Sequence, residues 1–247
     1  MKYALVTGSS RGIGKAIAIQ LAKDGFDVFV NYLKDHKSAE SVLAEIEEIG
    51  QKGYLIKGDV SSEKDMTEAY KKILSVTKTL DLLVNNAGTD IGKMIEDYTI
   101  SEMRHVVDVN LIGVFICTKI FSSLLKNSDR AQIINISSRM GKEKIIETIG
   151  AYGPAKAGVN QFTKCCALEF SKYKIRVNAV LPGLTDTELN RKFIPDNKTW
   201  EEMAKKNPTG RVGYPQDIAN VVSFLASEKG SYINGETIGV NGGSNLV

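Results

Sequence analysis

Short apolar runs alternate with helix-length amphipathic segments from one end of the chain to the other. The runs predict seven strands, near Tyr3–Thr7, Val28–Asn31, Tyr54–Lys57, Leu82–Asn85, Gln132–Ile136, Arg176–Val180 and Glu236–Val240. The intervening stretches have helical spacing, and two open on capping signals, Ser62-x-x-Asp65 and Thr99-x-x-Glu102. This alternation predicts an α/β fold: a doubly wound three-layer sandwich with a mainly parallel seven-stranded sheet and right-handed crossovers. A ligand is then expected beyond the C-terminal ends of the strands, at the point where the strand order reverses. No linker or repeat interrupts the pattern, so residues 1–247 are read as one domain, with a small lid near 186–210.

The segment from Val106 to Leu125 departs from simple amphipathicity, being apolar on more than one face. A helix covering one side of a sheet needs a single apolar stripe, so the second face is expected to meet another subunit. Asn110 is a polar intruder there. It is either a core asparagine bonded to its neighbours or the mark of a helix distortion that frees a backbone carbonyl.

Composition narrows the class without naming a function. The chain has 247 residues, 43% hydrophobic and 25% charged, with a net charge of +3. That is ordinary for one larger soluble domain and too mild a charge to indicate nucleic acid. Cys117, Cys165 and Cys166 lie in apolar runs without metal-ligand spacing and read as buried thiols in a reducing compartment, and His36 and His105 have no partner pattern, so no metal is expected. Met1-Lys2 runs directly into the first strand, which leaves no room for a leader or an N-terminal span and points to a cytoplasmic protein.

The first strand ends in Thr7-Gly8-Ser9-Ser10-Arg11-Gly12-Ile13-Gly14, and a helix follows at once. Strand, glycine turn and helix in that order suit a dinucleotide: glycines let the backbone approach a diphosphate, and the helix N-terminus attracts its charge. Gly8, Ser10, Arg11, Gly12, Ile13 and Gly14 are the candidate contacts. The second strand ends at Asn31, a further candidate contact, without the acid that usually receives a ribose 2′-hydroxyl, and Asp35 comes several residues late. Arg11 could meet a 2′-phosphate, which favours NADP, although a solvated turn residue is the competing reading. Asp59 and Val60 after the third strand could touch an adenine, or Asp59 could stabilise the turn into the next helix. Asn86, Ala87 and Gly88 after the fourth strand are further candidates, with a structural role for the amides the safer reading. Pro182, Gly183 and Thr187 follow the sixth strand and complete the set.

Tyr152 and Lys156 stand four apart where a helix begins, and Pro154 is tolerated in its first turn. A free phenol titrates near ~10, and an ammonium beside it favours phenolate, so the pair is expected to exchange a proton with a carbonyl or alcohol oxygen. Ser138 could hold that oxygen. On the spacing alone, two residues decorating a solvated face is the commoner arrangement.

Thr7-Gly-x-x-x-Gly-x-Gly14, Asn85-Asn-Ala-Gly88, Asn110, Ser138, Tyr152-x-x-x-Lys156 and Pro182-Gly183 together resemble the short-chain dehydrogenase/reductase family, over essentially the whole chain. Val30-Asn31-Tyr32, Gly210-Arg211 and Gly235-Glu-Thr-x-x-Val-Asn-Gly-Gly243 are most similar to its 3-oxoacyl-[acyl-carrier-protein] reductases. The resemblance implies a Rossmann-type fold and reduction of a 3-oxoacyl thioester by NADPH. It makes Tyr152 the proton donor and Lys156 the group that lowers its pKa and holds the nicotinamide ribose. Ser138 would bind the substrate oxygen and Asn110 a relay water. The resemblance also implies a homotetramer built on the two long apolar helices.

Two departures put the substrate in question. The stretch between Ser138 and Tyr152 is one residue longer than is usual in those reductases and carries Lys142-Glu-Lys-Ile-Ile-Glu147. Asn127-Ser-Asp-Arg130 offers little positive charge for an acidic carrier protein, with Lys172 and Lys174 the cations that could compensate. An NADP-dependent enzyme of a free small ketone, steroid or sugar alcohol is therefore the alternative. A non-catalytic dinucleotide sensor ranks lower, because Ser138, Tyr152 and Lys156 are all present.

Overall fold

The computed structural model describes residues 1–246. Its sheet has seven strands: β1 Lys2–Val6, β2 Phe26–Tyr32, β3 Gly53–Lys57, β4 Leu82–Asn85, β5 Gln132–Ile136, β6 Arg176–Pro182 and β7 Thr237–Val240. They lie in the order β3-β2-β1-β4-β5-β6-β7. Every pairing is parallel, so the expectation of a mainly parallel sheet is sharpened to an all-parallel one. The chain runs outward from β1 to β3, then crosses back to β4 on the other side of β1. The crevice between the loops after β1 and β4 is therefore the switch point at which doubly wound sheets take ligands.

The helices are α1 Gly12–Lys23, α2 His36–Glu48, α3 Glu63–Val76, α4 Ile100–Val107, α5 Gly113–Lys126, α6 Tyr152–Phe170, α7 Glu188–Phe193, α8 Asn197–Lys206 and α9 Pro215–Ala226. Both capping signals are realised. Ser62 accepts the Asp65 N–H, and Thr99 and Glu102 form a reciprocal box. Strand alternation then divides the core. Ala4 and Val6 pack with Ile17, Leu21 and Val222 on the α1, α2 and α9 side, whereas Leu5 and Phe29 pack with Ile73 and Phe121 on the α3, α5 and α6 side.

Both sides of the sheet are thus covered, as a parallel sheet requires. A polar chain nevertheless crosses the second layer. Asn85 donates to Thr118 at 3.3 Å and to the Asn135 Oδ1 at 2.8 Å, Asn135 donates to Thr163 at 2.9 Å, and Thr163 donates to the Val159 carbonyl at 2.8 Å. These bonds tie β4 and β5 to α5 and α6, the helix that carries Tyr152 and Lys156.

The helical run Ile100–Lys126 is long and apolar enough to cross a membrane by length and composition alone. Here its inner residues Val106, Asn110, Phe121 and Leu125 are fully buried in the protein, while Ile112 and Phe115 face outward. Cys165 is a correction: Cys117 and Cys166 are buried as expected, but Cys165 lies on the exposed side of α6.

Candidate active site

Tyr152 opens α6, and Lys156 follows one turn later on the same face. Lys156 is buried, donates to the Ile136 carbonyl at the end of β5 at 2.9 Å, and holds its Nζ 5.6 Å from the centroid of the Tyr152 ring. The two serines after β5 have separate tasks. Ser137 donates to the Lys156 carbonyl at 3.0 Å and fastens α6 to the sheet, whereas Ser138 is hydrogen-bonded to the Tyr152 hydroxyl and accepts the Met140 N–H at 3.1 Å.

The protonation of this pair differs from the sequence expectation. Burial pushes the Tyr152 phenol up to about 12, the Asp90 carboxylate adds to the rise, and the Ser138 hydrogen bond opposes it. Burial also lowers the Lys156 ammonium to about 8. The expected acidification of the phenol by Lys156 is therefore absent in the free protein. The ammonium stands beside the ring rather than at its oxygen, and removing phenolate from water costs more than that placement returns.

Asn110 sits in a π-helical turn, Asp108–Ile112, between α4 and α5. Such turns put one extra residue into a helix and recur at functional sites. Asn110 donates to the Thr89 carbonyl at 2.6 Å and to the Val106 carbonyl at 2.8 Å, and its Oδ1 is buried without a partner. Next to it lies Gly88. A Cβ there would fall 2.9 Å from that Oδ1 and 3.7 Å from the Lys156 Nζ, so Asn110 and Lys156 border one small space.

The glycine turn lies across the crevice. Gly8 has φ +61°, and a Cβ on it would come within 2.9 Å of the Ala87 Cα, so only glycine lets the β1 and β4 loops meet. Asn86 binds the same junction, donating to the Thr7 and Gly8 carbonyls at 2.9 and 3.1 Å, while Ala87 donates its N–H to Thr7 Oγ1 at 3.0 Å. Helix α1 then starts at Gly12 behind Arg11, which gives no side-chain cap, and its first turn holds no acidic residue. The unpaired N–H groups of that turn fit an anionic diphosphate, with Ser10, Ile13 and Gly14 alongside.

Asn31 is placed differently from the expectation of a cofactor contact. Its Oδ1 accepts the Gly8 N–H at 3.0 Å, and its Nδ2 donates to the Ile56 and Gly58 carbonyls, each at 3.1 Å. With both amide hydrogens used and the residue buried, Asn31 is a strap behind the turn. Asp59 takes the turn-stabilising role, accepting the N–H and hydroxyl of Ser61 at 2.9 and 2.7 Å. Val60 is buried against Gly113. Asp35 caps α2 through Ser38, and Arg11 lies close enough to help hold its carboxyl below the usual range.

After β6, Gly183 donates to the Val240 carbonyl at 2.9 Å beyond Pro182. Thr187 caps α7 and lies beside Gly12, so this segment abuts the glycine turn. Arg191 makes two hydrogen bonds to Asp186 at 2.7 and 2.8 Å and stacks on the buried Trp200, whose Nε1 donates to the Ile194 carbonyl at 2.7 Å. A cavity of about 730 Å³ lies between α1, α7 and the start of α9, lined by Gly12, Lys15 and Ile19, by Thr187 and Arg191, and by Pro215, so it borders the glycine turn. Asp90, in electrostatic reach of Tyr152, was not singled out by the sequence reading. Its signal was a carboxylate two residues past Asn85-Asn86-Ala87-Gly88. No cluster of metal-ligating side chains occurs among the described residues.

Comparison with known proteins agrees with this geometry. A family model described as Enoyl-(Acyl carrier protein) reductase matches residues 8–245. The 3-oxoacyl-[acyl-carrier-protein] reductase FabG of Staphylococcus epidermidis is 39% identical, covering 98% of each chain. The corresponding reductase of Synechocystis is 37% identical over 98% of this chain and 96% of its own. Among solved structures, the RhlG/NADP active-site complex of Pseudomonas aeruginosa superposes with a TM-score of 0.92 at 33% identity, covering 99% of this chain and 96% of that one. The chain belongs to the short-chain dehydrogenase/reductase family, oxidoreductases that act on CH–OH and C=O groups with a nicotinamide dinucleotide.

Proposed function

We propose that this enzyme reduces the ketone of a 3-oxoacyl thioester, such as a 3-oxoacyl-[acyl-carrier-protein], with NADPH. The observation that carries the reading is the Ser138–Tyr152 hydrogen bond, with Lys156 one turn on, opposite an uncapped helix N-terminus. Relatives at 39% and 37% identity that bear the 3-oxoacyl-reductase name support the substrate class. A bound nicotinamide dinucleotide supplies the hydride. Gly8, Gly12 and the first turn of α1 hold its diphosphate, Gly88 and Thr187 flank it, and Arg11 meets a 2′-phosphate in the absence of an uncommitted acid after β2.

Ser138 holds the ketone oxygen, and Tyr152 delivers the proton to it. A phenol kept protonated by burial is the form that reduction requires. Lys156 anchors the ribose and returns a proton to Tyr152. The unpartnered Oδ1 of Asn110 accepts a hydrogen bond from a relay water in the space beside Gly88. The outward Phe115 of α5 and Leu168 of α6 form the face on which a homotetramer assembles, and the cytoplasm is the compartment this reading implies.

One observation favours a free ketone over a carrier-bound one. Arg130, before β5, already faces Asp81 at 3.7 Å, and Lys126 lies over the Tyr173 ring at 4.4 Å, so these two cations are engaged within the protein. A panel of free ketones, 3-oxoacyl coenzyme A thioesters and 3-oxoacyl carrier protein, offered with NADPH or NADH and followed by absorbance loss, separates the readings. Turnover confined to free ketones would overturn the thioester assignment.

A further inference from the structure

The loop after β4 carries a carboxylate that proton delivery and cofactor binding leave unused. Gly88 borders Lys156 and Asn110, and the next carbonyl, that of Thr89, accepts the Asn110 Nδ2 at 2.6 Å. Asp90 follows, half-buried and in electrostatic reach of Tyr152. Beyond it Lys93 forms a backbone bridge with Ile149, whose carbonyl accepts the N–H of Gly153, the residue after Tyr152, at 2.8 Å. Both ends of the loop are thus fastened to the segments that bear Asn110 and Tyr152, and Asp90 is held between them.

Among the described residues no cation pairs with this carboxylate. Its Oδ1 accepts the Ile91 and Gly92 N–H groups at 2.8 and 3.3 Å, while Oδ2 has no hydrogen-bond partner among the described residues. Lys93, the cation nearest in sequence, is committed to Glu102 at 2.7 Å, and the Lys156 ammonium is moored at the Ile136 carbonyl. A partly desolvated charge without a counterion costs stability, and such groups in a cleft mark functional sites.

We propose that Asp90 selects substrates by charge: it admits a ketone whose neighbouring carboxyl is esterified and repels the free 3-oxo acid. This rests on the reading of the enzyme as a 3-oxoacyl thioester reductase and adds to it the rejection of that thioester's hydrolysis product. The carboxylate of a 3-oxo acid stands one methylene from the ketone carbon. With the ketone oxygen at Ser138 and Tyr152, its charge therefore enters the field of Asp90 whichever way the molecule turns. Two negative groups in a cleft shielded from water repel far more strongly than in solution, whereas a thioester of the same skeleton is neutral and meets no such barrier.

The test uses NADPH with two neutral ketones, methyl acetoacetate and the acetoacetyl thioester of N-acetylcysteamine, and takes acetoacetate as an inhibitor of whichever is reduced. Wild type, Asp90→Asn and Asp90→Glu are compared. Asparagine keeps the oxygen that receives the Ile91 and Gly92 N–H groups and removes the charge alone. The Ki of acetoacetate is expected to fall about tenfold in Asp90→Asn, with KM of the neutral ketone within about twofold of wild type, and to return to the wild-type value in Asp90→Glu. A Ki does not depend on how much of the enzyme is active, and Lys156 is common to all three proteins, so its attraction for the anion cancels. An unchanged Ki in Asp90→Asn would overturn the selection by charge and leave the functional reading intact. A fall that persists in Asp90→Glu would trace to the shape of the loop and likewise overturn it. Reduction of methyl acetoacetate without reduction of the thioester by wild type would overturn the functional reading, and the Ki comparison would still decide the role of Asp90.

Discussion

Lys156 donates its ammonium to the carbonyl of Ile136 at 2.9 Å, so the cation of the catalytic pair is moored to the end of β5 before any ligand arrives. Burial lowers its pKa to about 8. A lowered lysine pKa means the charged form is lost at a lower pH than usual. Ketone reduction is therefore expected to be flat below this value and to fall as pH rises through about 8. Lys156→Arg keeps its charge throughout that range and is expected to lose the break along with much of the rate. A pH profile of kcat/KM for both proteins checks this, and an unchanged break in the arginine variant would assign it to another group.

Tyr152→Phe removes the proton donor while leaving the packing of the ring. Turnover is expected to drop by about a hundredfold to ten-thousandfold, the usual worth of a positioned general acid. Dinucleotide binding, followed by fluorescence titration, is expected to stay within about threefold of wild type, a difference of less than 1 kcal/mol. Equal turnover by the two proteins would remove Tyr152 from the chemistry.

Asn31→Ala opens the strap behind the glycine turn. It deletes the acceptor for the Gly8 N–H and both donors to the Ile56 and Gly58 carbonyls, all in a buried place. Stability measured by urea unfolding is expected to fall by about 2–4 kcal/mol, from lost bonds and groups left unpaired. Affinity for the dinucleotide falls with it, because the turn is no longer held in shape. A fully stable Asn31→Ala protein would show that water takes over the strap.

Arg11→Ala tests the choice of dinucleotide. A charge-assisted hydrogen bond to a 2′-phosphate contributes about 1.5–3 kcal/mol, so the NADPH-to-NADH ratio of kcat/KM is expected to fall about tenfold to a hundredfold. Its neighbour Asp35 already engages Ser38, so the variant gains no free acid for an NADH ribose. An unaltered ratio would move recognition of the 2′-phosphate elsewhere.

Much of this architecture is written in local patterns. The seven apolar runs sit where the strands form, because a strand buried on both faces is a continuous apolar run, and the spacing of Tyr152 and Lys156 is itself helical geometry. β2 begins two residues earlier than its apolar run because Asp27 hides there, its carboxylate accepting the Lys52 N–H at 3.0 Å. What stayed hidden depends on partners distant in the chain. Asn31 reads as a candidate ligand until β3 is laid beside β2, and nothing in the residues around Asp90 announces Tyr152 within reach. Burial decided the Tyr152 pKa, and burial is a property of the packed molecule rather than of a spacing of four.

The polar chain Asn85–Asn135–Thr163 has a consequence for the angular phase of the catalytic helix. Aliphatic side chains would fill that layer equally well, but greasy contacts let a cylinder roll by some degrees at little cost. Directional bonds from β5, itself braced from β4 by Asn85, do not. They fix the azimuth of α6, so Tyr152 and Lys156 keep the same bearing on the crevice whatever else in the molecule moves.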